Sequence, residues 1–355
     1  MSFQAASATV HQTHHAHHPT PHHTIAIPQV LQILQGVRQR GGNINAIVQR
    51  AGITPALLDS PLARVTQAQY AALTFVLRRV TRDELWGLCS QPLRVGSFVQ
   101  ACRVLVHCQT LGEALRIGCQ FFHLQLHDFV PRLVVEQGFA HYRLVSRGPR
   151  DRAQSYAERV FAFFTYGLIS WLVARRIPLL DVTYPEADIA YNTDAELLFH
   201  APMHYAKAHV GFRFEARWLE LPVVQNSQSL TEFLLQAPAS LLVRYRDQTT
   251  LTERIRRLLR KHLDGDMPTL EAVSQTLAMT PQTLRRRLVE EGRGYQAIKD
   301  DLRRDAAIEY LAKADLTLLD IANRLGFSEA STFHRAFKGW TGLAPGIYRQ
   351  THLHS

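Results

Sequence analysis

The sequence predicts an α+β domain followed by an all-α domain in which two helix-turn-helix units are joined by a long helix. Three observations lead there. At 355 residues the chain exceeds one ordinary core, and 46% apolar against 20% charged residues gives enough hydrophobic surface for packed domains rather than a disordered chain. Apolar residues in the front part recur at both the helical and the strand period. Near the C-terminus a short helix, a turn and a second short helix occur twice in succession. The expected division is a His-rich disordered tail over 1–24, a mixed domain over 25–245 and an all-helical domain over 246–355.

In order along the chain, the first 24 residues hold seven histidines (His11, His14, His15, His17, His18, His22, His23) with no apolar periodicity. From Ile27 to about Leu88 the spacing is helical: Val30, Leu31, Leu34 and Val37, a break at Gly41-Gly42, then Ile44, Ile47 and Val48. Thr54-Pro55 has the form of a helix start with proline in the first turn. Helical stretches follow at Gln67 to Val80 and about Gly96 to Leu126. Arg132 to Val145 switches to the strand period and reads as a hairpin turning at Gln137-Gly138. Val160 to Ala174 is apolar and free of charge, but shorter than the roughly 20 residues a membrane span needs, so a buried core helix is expected. Strand-like runs at Leu179 to Tyr184 and His209 to Phe214 complete the mixed domain. A polar stretch near residue 245 then gives way to the helical run Leu251 to Leu263.

In the first unit Leu270, Val273 and Leu277 share a helical face, Ala278-Met279 makes the turn, and Thr280-Pro281 caps a second helix. Leu284 and Leu288 face inward, which turns Gln282, Thr283, Arg285 and Arg286 outward, where they are candidates to meet base edges. In the second unit Thr317 to Asp320 fits a capping box, Ile321 and Leu325 face the core, Gly326 takes the left-handed turn and Phe327 plugs the interior. A helix from about Ser328 buries Phe333 and Phe337 and exposes Ser331, Thr332, His334 and Arg335. Between the units an amphipathic helix over about Tyr295 to Ala314, roughly 30 Å long, can hold two recognition helices near one DNA turn apart, about 34 Å.

Each site has a plainer alternative. Arg285, Arg286 and Arg335 fit bidentate bonds to guanine or phosphate, or solvated helix charges. Arg287 suits a phosphate or an intradomain ion pair, and His334 a DNA contact or an ordinary surface position. The spacing of Phe327, Phe333, Phe337 and Trp340 marks core residues rather than base-stacking aromatics, and among the aromatics of Phe121 to Phe129 and Phe161 to Trp171 a few are candidates to line an effector pocket, with core packing the default for each.

Net charge is +10, which suits a polyanionic partner but is not concentrated at one end: residues 246–355 carry 18 basic against 14 acidic residues, and residues 1–245 carry 22 against 16. Placement, not total charge, carries the nucleic-acid argument. The cysteines Cys89, Cys102, Cys108 and Cys119 lack zinc or redox spacing and read as buried free thiols. The N-terminus has no secretory-signal pattern, so the chain is expected in the cytoplasm with no membrane contact. No reactive-cysteine motif, Ser-His-Asp order, phosphate loop or paired metal ligands stands out, so no catalytic residue, metal site or cofactor is expected.

Ser331, Phe333, Arg335, Phe337-Lys338, Gly342, Pro345 and Tyr348-Arg349 resemble, position by position, the C-terminal signature of AraC/XylS-type regulators, over roughly residues 250 to 350 and including IANRLGF at Ile321 to Phe327. Ala344 departs from the pattern, which often has Ser or Thr there. The front of the chain, with AGITPALLDSPLAR at Ala51 to Arg64, resembles the arabinose-binding-type sensory domain of the OruR- and VirS-like branch. The resemblance implies a sequence-specific activator or repressor that binds double-stranded promoter DNA, responds to a small-molecule effector held by the N-terminal domain, contacts RNA polymerase and pairs as a homodimer. Two other classes stand beside it: a DNA-binding metal sensor using the histidine tail, and an enzyme with a DNA-binding appendage.

Overall fold

A computed structural model describes residues 24–186, 199, 201–236, 250–313 and 315–353. The histidine tail and the boundary near residue 245 lie outside the described residues. Strand β1 (Thr24–Ala26) opens the fold, followed by helices α1 (Ile27–Ile33), α2 (Gln35–Gln39) and α3 (Ile44–Arg50). A 3-10 turn over Pro55–Asp59 leads to strand β2 (Arg64–Thr66), which pairs antiparallel with β1. Helix α4 (Gln67–Thr81) starts on a complete capping box, in which Thr66 and Gln69 bond each other's backbone amides.

Three departures from the sequence reading fall here. The stretch from Ile27 to about Leu88, expected to be helical, contains β2, and β1 stands just before it; each is three residues long and too short to show a strand period. Thr24, placed at the end of the tail, belongs to β1 and is buried. The helix expected over Gly96 to Leu126 is also two, α5 (Ser97–Leu105) and α6 (Leu111–Gln125). Thr110 starts the second by accepting from the Glu113 amide, while Glu113 accepts from Gln109, a cap that interrupts an otherwise continuous apolar period.

Strands β3 (Phe129–Glu136) and β4 (Phe139–Ser146) form the expected hairpin. Its turn residues Gln137 and Gly138 have φ of 49° and 81°, the pair of left-handed positions a two-residue hairpin with native twist requires. Helix α7 (Arg152–Leu172) follows, then β5 (Asp181–Thr183), β6 (Met203–His204) and β7 (Val210–Glu215). The sheet order is β3-β4-β7-β5-β6, antiparallel except for β5 with β6. Helix α7 is buried along nearly its whole length against this sheet: Tyr166 meets Phe212 edge-on at 5.8 Å, and Phe212 stacks on Tyr142 at 4.8 Å. No helix among the described residues is long and apolar enough to cross a membrane. Helix α8 (Ser227–Gln236) packs Phe233 on Trp171 of α7 at 4.2 Å.

The C-terminal region is helical throughout its described residues: α9 (Leu251–Arg260), α10 (Leu270–Thr276), α11 (Pro281–Glu290), α12 (Tyr295–Leu311), α13 (Leu318–Arg324), α14 (Ala330–Thr341) and α15 (Pro345–Leu353). Helix α12 has 17 residues rather than the twenty expected, so it is about 26 Å long. The two parts of the chain touch through β1, β2 and the turn before β2. Thr24 donates to Asp305 of α12 at 2.6 Å, Ser60 donates to the Thr341 carbonyl at 3.3 Å, and the Tyr348 hydroxyl of α15 both donates to the Arg64 carbonyl and accepts from the Arg64 amide.

Candidate nucleic-acid interface

The first unit is built as its sequence dictates. Thr269 caps α10 by accepting from the Ala272 amide, and Ala278 turns the chain at φ 52°. Thr280 accepts from the Thr283 amide with Pro281 in the first turn of α11. Leu284 and Leu288 are buried, and Gln282, Arg285 and Arg286 are exposed on the other side. Thr283 is half-buried, and its hydroxyl lies 2.9 Å from that of Thr280, so it faces the cap rather than pointing freely outward. Arg285 lies 3.8 Å from Glu271 and Arg286 3.6 Å from Glu290, all four side chains well exposed. Such pairs contribute about 0–1 kcal/mol, so a DNA ligand can displace them.

In the second unit Thr317 and Asp320 form the full capping box, and the Asp320 carboxyl is held below its ordinary value by the Thr317 hydroxyl and amide. Gly326 has φ 72°, and a Cβ there would stand 2.6 Å from the Gly265 carbonyl oxygen, so both conformation and space require glycine. Phe327 is half-buried beneath α14, its ring 5.6 Å from Phe333 on one side and under the Arg303 guanidinium at 5.0 Å on the other. Helix α14 begins at Ala330, two residues later than expected, because Glu329 occupies the N-cap position in extended backbone. Phe333 and Phe337 are buried, while Ser331, His334 and Arg335 are exposed and Thr332 is half-buried. The Ser331 hydroxyl donates to Glu329 at 3.0 Å. The exposed face of α14 thus opposes a face of phenylalanine, which fixes how its polar side chains are presented.

The frame between the units is polar as well as apolar. Asp301 of α12 binds Arg256 of α9 and Arg304 at 2.9 Å each, with Arg293 at 3.7 Å. Arg256 is only 3% exposed, so this carboxylate neutralises a buried charge rather than decorating a surface. Glu291, at the end of α11, accepts from the amides of Leu251 and Thr252 at 3.0 and 2.8 Å and so caps α9. The Arg256–Asp301 and Glu291 links escape sequence reading because each joins residues about forty positions apart. Arg287 is exposed.

The four cysteines are free; Cys89, Cys102 and Cys108 are buried and Cys119 half-buried. Burial pushes the Cys102 and Cys119 thiols up to about 12. Among the described residues no group of histidine, cysteine and carboxylate side chains is placed to hold a metal ion.

Residues 41–223 match the family described as the arabinose-binding domain of AraC transcription regulators, and residues 273–351 match a helix-turn-helix domain. The ornithine utilization regulator of Pseudomonas aeruginosa is 29% identical over 328 residues, 90% of this chain and 94% of the relative. The regulator VirS of Mycobacterium tuberculosis is 40% identical over 100 residues, 28% of this chain and 29% of the relative. The crystal structure of the transcriptional regulator CdpR from Pseudomonas aeruginosa overlaps 91% of this chain and 98% of that one at 21% identity and a TM-score of 0.34. These relatives are transcriptional regulators, and nothing among the matches favours a metal sensor. With an arabinose-binding-type effector domain in front and a helix-turn-helix region behind, the chain belongs to the AraC family of DNA-binding transcription regulators.

Proposed function

We propose that α11 and α14 are the recognition helices and that they enter neighbouring major-groove segments of promoter DNA, with Gln282, Arg285, Arg286, His334 and Arg335 at base edges or phosphates and Thr283, Ser331 and Thr332 near the helix starts. The observation that carries this reading is the two-sidedness of both helices: Leu284 with Leu288, and Phe333 with Phe337, are buried while the polar residues between them are exposed. His334 and Arg335 have no ion-pair partner among the described residues, and the partners of Arg285 and Arg286 are weak surface carboxylates. A helix presenting such a face meets the depth of the major groove and can form bidentate bonds there. The chain acts in the cytoplasm as an effector-controlled regulator, activator or repressor, that pairs as a dimer and contacts RNA polymerase.

The 26 Å connecting helix is compatible with two helices on one face of the duplex, since successive major-groove segments recur at about 34 Å. The test is binding of the full chain, across a salt series, to DNA flanking its own gene and to scrambled DNA of equal length. Preference for the flanking DNA that persists as salt rises is expected. Equal and steeply salt-dependent affinity for both, with and without candidate effectors, would overturn sequence-specific reading.

A further inference from the structure

The N-terminal part contains a cavity of about 370 Å³ between α4, α5, α6, α7 and α8, within the size range of small-ligand sites. Its walls are aromatic: Trp86, Phe98, Phe122, Phe161 and Phe164 line it. Its rim carries two apolar side chains in open solvent, Phe75 of α4 at 51% exposure and Leu235 of α8 at 82%.

The polar groups in the wall are nearly all spent on the protein itself. Thr74 donates to the Ala71 carbonyl at 2.8 Å and Thr165 to the Phe161 carbonyl at 2.9 Å. The Trp86 indole N–H donates to the Thr74 carbonyl at 3.2 Å. The two carboxylate oxygens of Glu84 accept from the amides of Gly96 and Phe98 at 2.7 and 2.8 Å, at the start of α5. Burial raises the Glu84 carboxyl, and those amides and the charge of Arg78 oppose the rise. Arg78 is the exception. Its guanidinium lies 5.6 Å from the Phe75 ring centroid and makes no ion pair among the described residues, while it lines the cavity. A cation at the edge of an aromatic chamber selects an apolar molecule that ends in an anion: the body displaces water from the aromatic walls, and a carboxylate meets the guanidinium in a charge-assisted bond. An ammonium end would meet Arg78 as a like charge and find Glu84 already bonded.

We infer that this cavity is the effector site and that its ligand is an apolar, aromatic-compatible organic carboxylate held by Arg78. The inference rests on reading the N-terminal part as an effector domain. It also gives the ligand a route to the DNA-binding helices: Arg78 lies on α4, which begins immediately after β2, the strand gripped by Tyr348.

The test is isothermal titration calorimetry of the full chain with 4-phenylbutyrate, 4-phenylbutan-1-ol and 4-phenylbutylamine, ligands that differ only in the terminal group. The acid is expected to bind tightest, and Arg78→Gln is expected to weaken the acid roughly tenfold to a hundredfold while leaving the alcohol unchanged. Unchanged alcohol binding reports that the variant cavity is intact. Ala71→Trp, which grows a side chain from the cavity wall, is expected to weaken all three ligands together. Equal binding of the three ligands, a preference for the acid that survives Arg78→Gln, or binding of none would each overturn the inference. Specific DNA binding measured on the same protein separates the two levels: if it persists, only the cavity assignment has failed, and if it is lost, the regulator reading itself has failed.

Discussion

Removing one hydroxyl, in Tyr348→Phe, is expected to loosen the docking of the DNA-binding helices on the N-terminal part. The Tyr348 ring is fully buried and packs edge-on against Phe337 at 5.2 Å, so a phenylalanine keeps the apolar contact. What is lost is the hydroxyl shared by the Arg64 amide, at 3.3 Å, and the Arg64 carbonyl. These two groups lie on the outer edge of β2: the neighbouring Ala63 carbonyl already accepts from Ile27, and Val65 is paired with Ile25, so Arg64 faces the other way. A buried peptide group left unpaired costs about 1–3 kcal/mol. The amide contact is long and therefore weak, which places the expected loss at about 1–2 kcal/mol. For a unit of about 100 residues that corresponds to a fall in Tm of about 4–8 °C per kcal/mol. Scanning calorimetry of the full chain should show the transition of the helical region moving down or separating from the rest, and trypsin should cut between the two parts sooner. A variant that melts within about 1 °C of wild type and is cut at the same rate would refute the account, because the remaining links, Thr24 with Asp305 and Ser60 with Thr341, would then suffice.

Other outcomes follow from the same geometry. Arg286→Ala or Arg335→Ala should weaken specific DNA binding by about 1–3 kcal/mol where the residue reads a base, or lower the salt slope by roughly one where it meets phosphate; urea midpoints should stay put, and unchanged affinity in both variants would sink the contact assignment. Glu291→Gln keeps the shape but removes the charge capping α9, so urea unfolding should register a loss of about 1 kcal/mol, and an unaltered midpoint would count against the cap. Cys102 and Cys119, with thiols pushed up to about 12, should resist a disulfide reagent at pH 8 until the chain is unfolded. His141 and His209 sit below the ordinary histidine value, chiefly through burial and then the Arg143 charge. Below about pH 6.5 the unfolded chain takes up protons that the folded one resists, so stability should fall as pH drops from neutral, and His209→Gln should flatten that fall; an identical slope in the variant would assign it elsewhere.

The sequence determined the parts whose signals are local. Thr280-Pro281 and Thr317 with Asp320 start their helices through bonds that span three residues, and the structure shows them as read. The four-residue spacing of Phe333 and Phe337 was enough to say which face of α14 is core and hence which side chains remain exposed. The hairpin at Gln137-Gly138 was equally legible, since the strand-period run from Arg132 to Val145 is broken there by a glycine, and both turn residues take the left-handed φ such a turn requires. What escaped was non-local or too short to have a period. Strands β1 and β2 exist because they pair with each other and dock on α12 and α15, some 280 residues away, so nothing in their own three residues marks them as strands. Tyr348 was legible as a signature position, but its grip on the Arg64 backbone was not. The cavity is a divided case: the aromatics of Phe121 to Phe129 and Phe161 to Trp171 were candidates to line a pocket with core packing as the default, and only the packing of α5, α6 and α7 with α4 and α8 selects Phe122, Phe161 and Phe164 for its wall, adds Phe98 and sets Arg78 at its edge. Helical periodicity reports which face is turned inward; whether inward-facing rings close on one another or stop short of contact is decided by how the helices are set against each other.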